Sequence, residues 1–253
     1  MLLAIDIGNS RIKTALFKND KIVSHFSFID PAELKTLISD IKEKDIAICS
    51  VVPEKTKVVL KIIKELTDKS PFMISKDIRT NVEIGYKTPD TLGVDRLCSA
   101  EGAYFLFNNS DRCKNYNSST FLLTVDFGTA TTINVIEYPG KFIGGLIAPG
   151  FDLMFKSLNK KTAQLPNVNS QDYNSVIGDS TKSSIASGVV SSVVGMIEKT
   201  TNYLMKEKSA EKIFIYLTGG NAKKIIPFLN FDFIFEEGLV LYGMNALMKI
   251  NKY

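Results

Sequence analysis

The sequence is poor in the residues that most often carry redox, metal or nucleophilic chemistry: its 253 residues include three cysteines and one histidine. Cys49, Cys98 and Cys113 form no CxxC pair, and an odd count speaks against a secreted disulfide framework. A reducing cytoplasm is the expected setting. His25 has no histidine partner anywhere in the chain and falls in a strand-like run, so it reads as structural. Blocks of like charge are also missing. Lys and Arg number 31 against 27 Asp and Glu, a net of +4 spread along the chain, which suits small anionic ligands at least as well as nucleic acid. Neither nucleic acid nor membrane is expected as a partner. No apolar run approaches the roughly 18 residues that span a bilayer. The start MLLAIDIGNS has no basic region, and Asp6 interrupts its apolar run, so a signal peptide is not expected. What is present is ordinary: 45% hydrophobic and 23% charged residues exclude disorder, collagen and coiled coil as the dominant state. A chain of this size buries enough surface to fold without a metal or disulfide, as one large domain or two modest ones.

The pattern along the chain alternates strands and helices. LLAID, RIKTALF and KIVSHFSF read as three strands with a turn at Gly8-Asn9. Asp30-Pro31-Ala32-Glu33 then has the form of a helix start, with an N-cap, Pro at the first position and Glu three residues after the cap. Leu34, Leu37, Ile38 and Ile41 follow at helical spacing. DIAICSVV is strand-like, and Val58, Val59, Ile62, Ile63 and Leu66 mark a helix after Pro53. Such alternation predicts an α/β domain around a central sheet. The polar stretch from Asn108 to Ser119 reads as a surface loop or boundary, dividing the chain into 1–112 and 113–253. Beyond it come a strand, a glycine turn and a strand in FLLTVDFGTATTINVIEY. A long helix over about 184–206, the strand IFIYLTGG, a short helix near Lys223 and a final helix over about 239–250 complete the chain.

One plan occurs twice. LLAIDIGNSRIKTALF and LLTVDFGTATTINVI each run apolar strand, Asp-x-Gly, polar turn, second strand. One such turn alone reads as an ordinary hairpin, in which Gly supplies positive φ and Asp accepts local hydrogen bonds. Two in one chain shift the balance toward a polyphosphate clamp. There Gly lets backbone N–H groups approach phosphate oxygens, and Asp holds a hydrated cation. Asn9, Ser10 and Lys13 after the first turn, and Thr129, Thr131 and Thr132 after the second, supply amides, hydroxyls and one ammonium. A third turn, Leu217-Thr218-Gly219-Gly220-Asn221, ends a strand and opens a helix. This order of two Asp-x-Gly hairpins and a Gly-Gly turn resembles the two phosphate motifs and the adenosine motif of the superfamily containing actin, sugar kinases and acetate kinase. The resemblance implies an α/β fold of two ribonuclease-H-like (actin-like) domains, a central mixed sheet in each, and an ATP cleft between them.

The stretch from Tyr86 to Arg96, YKTPDTLGVDR, has a plain reading: a Pro/Gly-punctuated loop and a helix start with Asp95 as N-cap and Arg96 on the surface. An acid and a base at a helix start can instead hold an anionic substrate and its reacting hydroxyl, Asp95 as general base and Arg96 as carboxylate partner. Together with DIGNSRIK (6–13), VDFGTATT (125–132), GGLIAPG (144–150), TAQLP (162–166), GDST (178–181) and LTGG (217–220), this stretch resembles the type III pantothenate kinases, which phosphorylate pantothenate in the first step of coenzyme A synthesis. The seven ordered segments span nearly the whole chain. The one departure is Ser10, where the family usually has Thr; the hydroxyl is kept.

The resemblance carries residue roles with it. Asp95 would accept the proton of the pantothenate hydroxyl. Tyr86, Gly93, Val94, Asp95, Arg96 and Thr181 would contact pantothenate. Asp6, Ile7, Gly8, Asn9, Ser10, Arg11, Ile12, Lys13 and Thr129 would hold ATP, with magnesium reached by Asp6 through water. Asp126 would bind the monovalent cation, potassium or ammonium, that the family requires. Members are homodimers, so Thr181 would serve the partner's site. Three rivals stand beside this reading. A sugar kinase of the superfamily is disfavoured by YxxPxxLGxDR. A non-catalytic regulator would be expected to have lost Asp95 or Asp126. An ATP-driven chaperone or filament protein would need a further domain.

Overall fold

The first three strands, β1 (Leu2–Ile7), β2 (Ile12–Lys18) and β3 (Lys21–Phe28), form an antiparallel meander. Leu3, Ile5 and Ile7 on one face of β1 and Leu2 and Ala4 on the other are all buried, so both faces of that strand are covered and its run is apolar up to Asp6. The β2–β3 turn uses Asn19 and Asp20 at positive φ (47° and 64°), the residue types that tolerate it. Asp30 caps the next segment as expected, with Glu33 closing the box. The first turn, Pro31–Glu33, is nevertheless a 3-10 turn, because the Leu34 N–H returns to the Pro31 carbonyl; the α-helix α1 covers Leu34–Ser39. The computed structural model describes residues 1–40, 45–115 and 119–252, so Ile41 lies outside the described residues.

Strand β4 (Asp45–Ser50) runs parallel to β1, with Asp6 opposite Cys49. Helix α2 (Pro53–Leu66) buries Val59, Ile62 and Ile63 but leaves Val58 exposed. The two-residue strand β5 (Phe72–Met73) completes a mixed sheet of order β3-β2-β1-β4-β5. Then come β6 (Glu83–Ile84), α3 (Val94–Asn108) and a 3-10 turn at Asp111–Asn115, inside the stretch read as loop. Helix α3 begins with Gly93 as N-cap, not Asp95, and its Arg96 is buried rather than on the surface.

The second sheet has six strands: β7 (Thr120–Phe127), β8 (Ala130–Glu137), β9 (Lys141–Pro149), β10 (Lys212–Thr218) and β11 (Ile234–Phe235), with β6 on the edge beside β9, in the order β11-β10-β7-β8-β9-β6. It repeats the plan of the first: a central strand with Asp one residue before its end, an antiparallel hairpin partner on one side and parallel strands on the other. Helices α4 (Phe151–Lys161), α5 (Thr181–Glu207) and α6 (Ala222–Ile225) lie in this half of the sequence. The last helix, α7 (Leu239–Lys252), packs on α3. Gly102 and Gly243 make that crossing close, since a Cβ on either would run into the other helix's backbone at Leu239 or Cys98. Ion pairs of Lys249 with Asp20 and of Lys252 with Asp45 hold α7 to the first sheet.

Contacts therefore group Met1–Tyr116, Pro139–Gly144 and Gly238–Tyr253 as one unit, and Asn117–Tyr138 with Gly145–Glu237 as another. A division at 112/113 would assign α7 to the second half; its apolar face is spent on the first.

Candidate functional site

In the first unit the β1–β2 register sets Asp6 opposite Lys13 and Ile7 opposite Ile12, and the turn closes with Gly8 N–H donating to the Arg11 carbonyl at 3.0 Å. Asn9, Ser10 and Arg11 are exposed, while the Ile7 and Ile12 side chains are core. Those two can meet a nucleotide only through their backbone. A residue the sequence reading passed over joins the turn: Lys55, in the first turn of α2, donates from Nζ to the Asn9 carbonyl at 2.7 Å and the Gly8 carbonyl at 3.3 Å. With those carbonyls held by an ammonium, positive charge stands beside the hairpin that would face phosphate. Lysine at a helix start reads as a solvated position, and nothing local in the sequence links it to a turn forty-odd residues earlier.

The start of α3 is the other feature of this unit. Gly93 gives no side-chain cap, and its place matters sterically, because a Cβ there would stand 2.5 Å from Asp95 Oδ1. The Asp95 carboxylate folds back over the helix start and accepts from Arg96 N–H at 2.9 Å. An acidic group in the first turn also matches the helix dipole. The Arg96 guanidinium lies 5.7 Å from the Tyr86 ring centre and 5.6 Å from that of Phe142. The two rings meet edge-on at 5.9 Å. Arg96 is only 6% exposed, so these cation–π contacts act with little water around them, where each is worth about 2 kcal/mol. Phe142 is the missed member of this cage. It arrives through the parallel pairing of β6 with β9, Ile84 opposite Phe142, a non-local contact that no periodicity announces.

Cys49 and Cys98 are completely buried, and their thiols hydrogen-bond to each other. That bond and burial push the Cys49 thiol well above its usual range, and burial raises Cys98. Both thiols stay protonated, in keeping with a structural role. Asp6 stands opposite Cys49 in the β1–β4 register, and Cys98 follows Asp95 by three residues on α3, so the buried pair borders both the first hairpin and the start of α3.

In the second unit Asp126 stands one residue before the end of β7, with Thr132 opposite it on β8 and Thr218 opposite it on β10. The hairpin closes by Gly128 N–H donating to Ala130 O at 3.1 Å. Two further glycine turns pack on it. Gly150 N–H donates to Thr129 O at 3.1 Å, and Asn221 N–H, in the Gly-Gly turn, donates to Phe127 O at 3.0 Å. Gly219 has φ +98° and faces Asp126 and Phe127 so closely that a Cβ would sit 2.5 Å from the Phe127 nitrogen. Asp152, at the start of α4, holds Lys224 of α6 through both oxygens, at 2.8 and 2.7 Å. Thr129 is exposed, whereas Thr131 is buried with no hydrogen bond to its Oγ1. Thr181 stands exposed at the first position of α5, just after the N-cap Ser180.

No cluster of three or more His, Cys, Asp or Glu of metal-holding geometry occurs among the described residues, and no described helix is long and apolar enough to cross a membrane.

Comparison with known proteins fits this geometry. The chain is 35% identical to a type III pantothenate kinase of Dictyoglomus turgidum over 91% of each chain. It is 31% identical to the one of Chlorobaculum tepidum, over 98% of this chain and 94% of the relative. Two solved structures speak to the fold alone. A Baf family transcriptional activator from Campylobacter jejuni gives a TM-score of 0.62 at 22% identity, covering 99% of this chain and 98% of that one. Acetate kinase from Entamoeba histolytica, of the superfamily whose motif order the sequence resembles, gives 0.53 at 12% identity over 100% of both. The family profile of type III pantothenate kinase itself matches residues 2–203, a span holding both Asp-x-Gly hairpins and the Tyr86–Arg96 stretch, and the chain belongs to that family.

Proposed function

We propose that this chain transfers the γ-phosphoryl group of ATP to the hydroxyl of pantothenate, giving 4′-phosphopantothenate and ADP in the first step of coenzyme A synthesis. The observation that carries the reading is the start of α3, where a carboxylate adjoins a guanidinium caged by Tyr86 and Phe142. Arg96 presents fixed positive charge to the acceptor's carboxylate, the missing side chain of Gly93 lets the Asp95 carboxylate lie over the helix start, and Gly93 and Val94 would line the acceptor site. Asp95 takes the hydroxyl proton as the oxygen attacks phosphorus and the bond to the β-phosphate oxygen breaks. Phosphoryl transfer needs little covalent help, so positioning and charge neutralisation do most of the work. The hairpin from Asp6 to Lys13 and Thr129 would hold the phosphates. Asp6 would meet, through water, magnesium arriving with ATP, which would supply further positive charge.

Asp126 is suited to a singly charged, oxygen-bound cation. One carboxylate neutralises one charge, and Gly128 leaves a space whose Cβ position is 3.4 Å from both Asp126 Oδ1 and the Ala130 carbonyl oxygen. Hard cations take such oxygens. Potassium or ammonium there would place charge beside the second hairpin. Asp126→Asn is therefore expected to raise the half-saturating potassium concentration for turnover about tenfold, the equivalent of about 1.4 kcal/mol. Potassium-induced thermal stabilisation should weaken in parallel, and an unaltered potassium dependence would contradict the assignment.

The protein acts as a homodimer in this reading, with Thr181 serving the partner's acceptor site. Two features of the second unit support a second copy: a groove of about 390 Å³ between α4 and α5, lined by the apolar Met154, Leu158, Ile185 and Val189 and by three serines and Gly188, and the exposure of Val176 and Ile177 (85%) just before α5. The same reading has it work in the cytoplasm.

A further inference from the structure

Glu101 lies in the middle of α3, completely buried, and neither the phosphate hairpins nor the acceptor site uses it. Burying a carboxylate is costly unless donors surround it. Burial raises its proton affinity, and its hydrogen bonds oppose that. All of its donors come from one short segment. Its Oε1 accepts from Asn81 N–H at 2.7 Å and Val82 N–H at 3.0 Å, and its Oε2 from the Asn81 side-chain amide at 2.7 Å. The same segment is gripped one step earlier by α7, where Asn251 accepts from Arg79 N–H and donates to Arg79 O, each at 2.9 Å.

The residues just beyond Val82 give these bonds their consequence. Glu83 N–H donates to Gly140 O at 2.7 Å and Gly85 N–H to Phe142 O at 2.9 Å, and Tyr86 comes next, closing on Arg96. Tyr86 thus lies two residues beyond β6, and the residues just before β6 are tied to the helix that carries Asp95 and Arg96. The spacing between Tyr86 and Arg96 is set at two points of that helix. Glu101 supplies the second.

We infer that Glu101 is a positioning residue for the acceptor: by holding Asn81 and Val82 on α3 it fixes Tyr86 against Arg96, and its effect falls on acceptor recognition rather than on ATP. The inference rests on the acceptor site proposed above.

The test is steady-state kinetics of Glu101→Gln with ATP and pantothenate varied separately. A glutamine keeps the size but turns an amide N–H₂ toward N–H donors. The KM for pantothenate is expected to rise about tenfold, with the KM for ATP and kcat within about threefold of the parent. Asn81→Ala, which leaves both backbone donors, should raise the same KM only about two- to threefold. If Glu101→Gln does not fold, Asn251→Ala loosens the segment from its other side and should shift the pantothenate KM in the same direction. Amide exchange over residues 81–86 should quicken in the variants. Unchanged pantothenate KM, or ATP and pantothenate KM rising together, would overturn the positioning role while leaving the kinase reading intact. Absence of pantothenate-dependent turnover in the unchanged protein would overturn both.

Discussion

Asp95→Asn is expected to lower kcat by about 10²- to 10⁴-fold, the range that a positioned general base supplies, with little change in stability or in ATP binding. The substitution is nearly isosteric, and the amide oxygen can still accept from the Arg96 N–H that the carboxylate Oδ1 holds at 2.9 Å. What it removes is the capacity to take a proton. Since the first hairpin, Lys55 and the second unit's glycine turns do not depend on Asp95, ATP affinity should stay within about twofold. Calorimetric ATP titration and denaturant unfolding would separate this outcome from a folding defect. Turnover within a few-fold of the parent would remove Asp95 from the base role, and equal loss of ATP binding would make it a structural residue of the nucleotide half.

Gly219→Ala should cost about 3 kcal/mol of stability and most of the activity. Two effects combine. The residue holds φ +98°, a backbone conformation that a side chain makes costly by roughly 1–3 kcal/mol. The new Cβ would also stand 2.5 Å from the Phe127 nitrogen and 2.6 Å from its carbonyl carbon, and would press on Asp126 Oδ1. The carboxylate can swing away, but Phe127 ends the central strand β7 and is itself completely buried. Forcing extra volume into such a place costs about 1–3 kcal/mol. Gly220→Ala is the internal control. Its Cβ would meet nothing within 4 Å, so unfolding in urea should change by less than about 1 kcal/mol. Equal midpoints for the two variants would contradict the packing described around Asp126.

Both Asp-x-Gly hairpins were legible because their signal is local. A buried apolar run, an Asp, a Gly and a second run fix strand, turn and register within about fifteen residues, and the observed pairs Asp6–Lys13 and Asp126–Thr132 follow that pattern. The capping box at Asp30 was equally local, although the chain turns into 3-10 geometry there. Where the sequence misleads, the deciding contact is distant. Arg96 reads as surface because arginine usually is; it is buried because Tyr86 and Phe142 close over it, and Phe142 comes from a strand about half a hundred residues later. Asp95 reads as an N-cap by residue preference, yet Gly93 takes that place and leaves Asp95 turned back inside the first turn. Strands β5, β6 and β11 have two residues each, too few to carry a period. Helix α4 did leave a trace, Phe151 and Phe155 at i, i+4 spacing, behind a glycine motif that drew attention to chemistry instead. The return of α7 to the first unit could not be read at all: its apolar face announces burial but not the partner, and only the Gly102–Gly243 crossing says which helix it meets.

The most direct test of the account is ATP consumption by the purified protein, with and without pantothenate, in magnesium and either potassium or sodium. The account predicts turnover that requires pantothenate, is much faster in potassium than in sodium, and yields a phosphorylated acceptor in step with ADP. ATP consumption indifferent to pantothenate, or none with either cation, would contradict it.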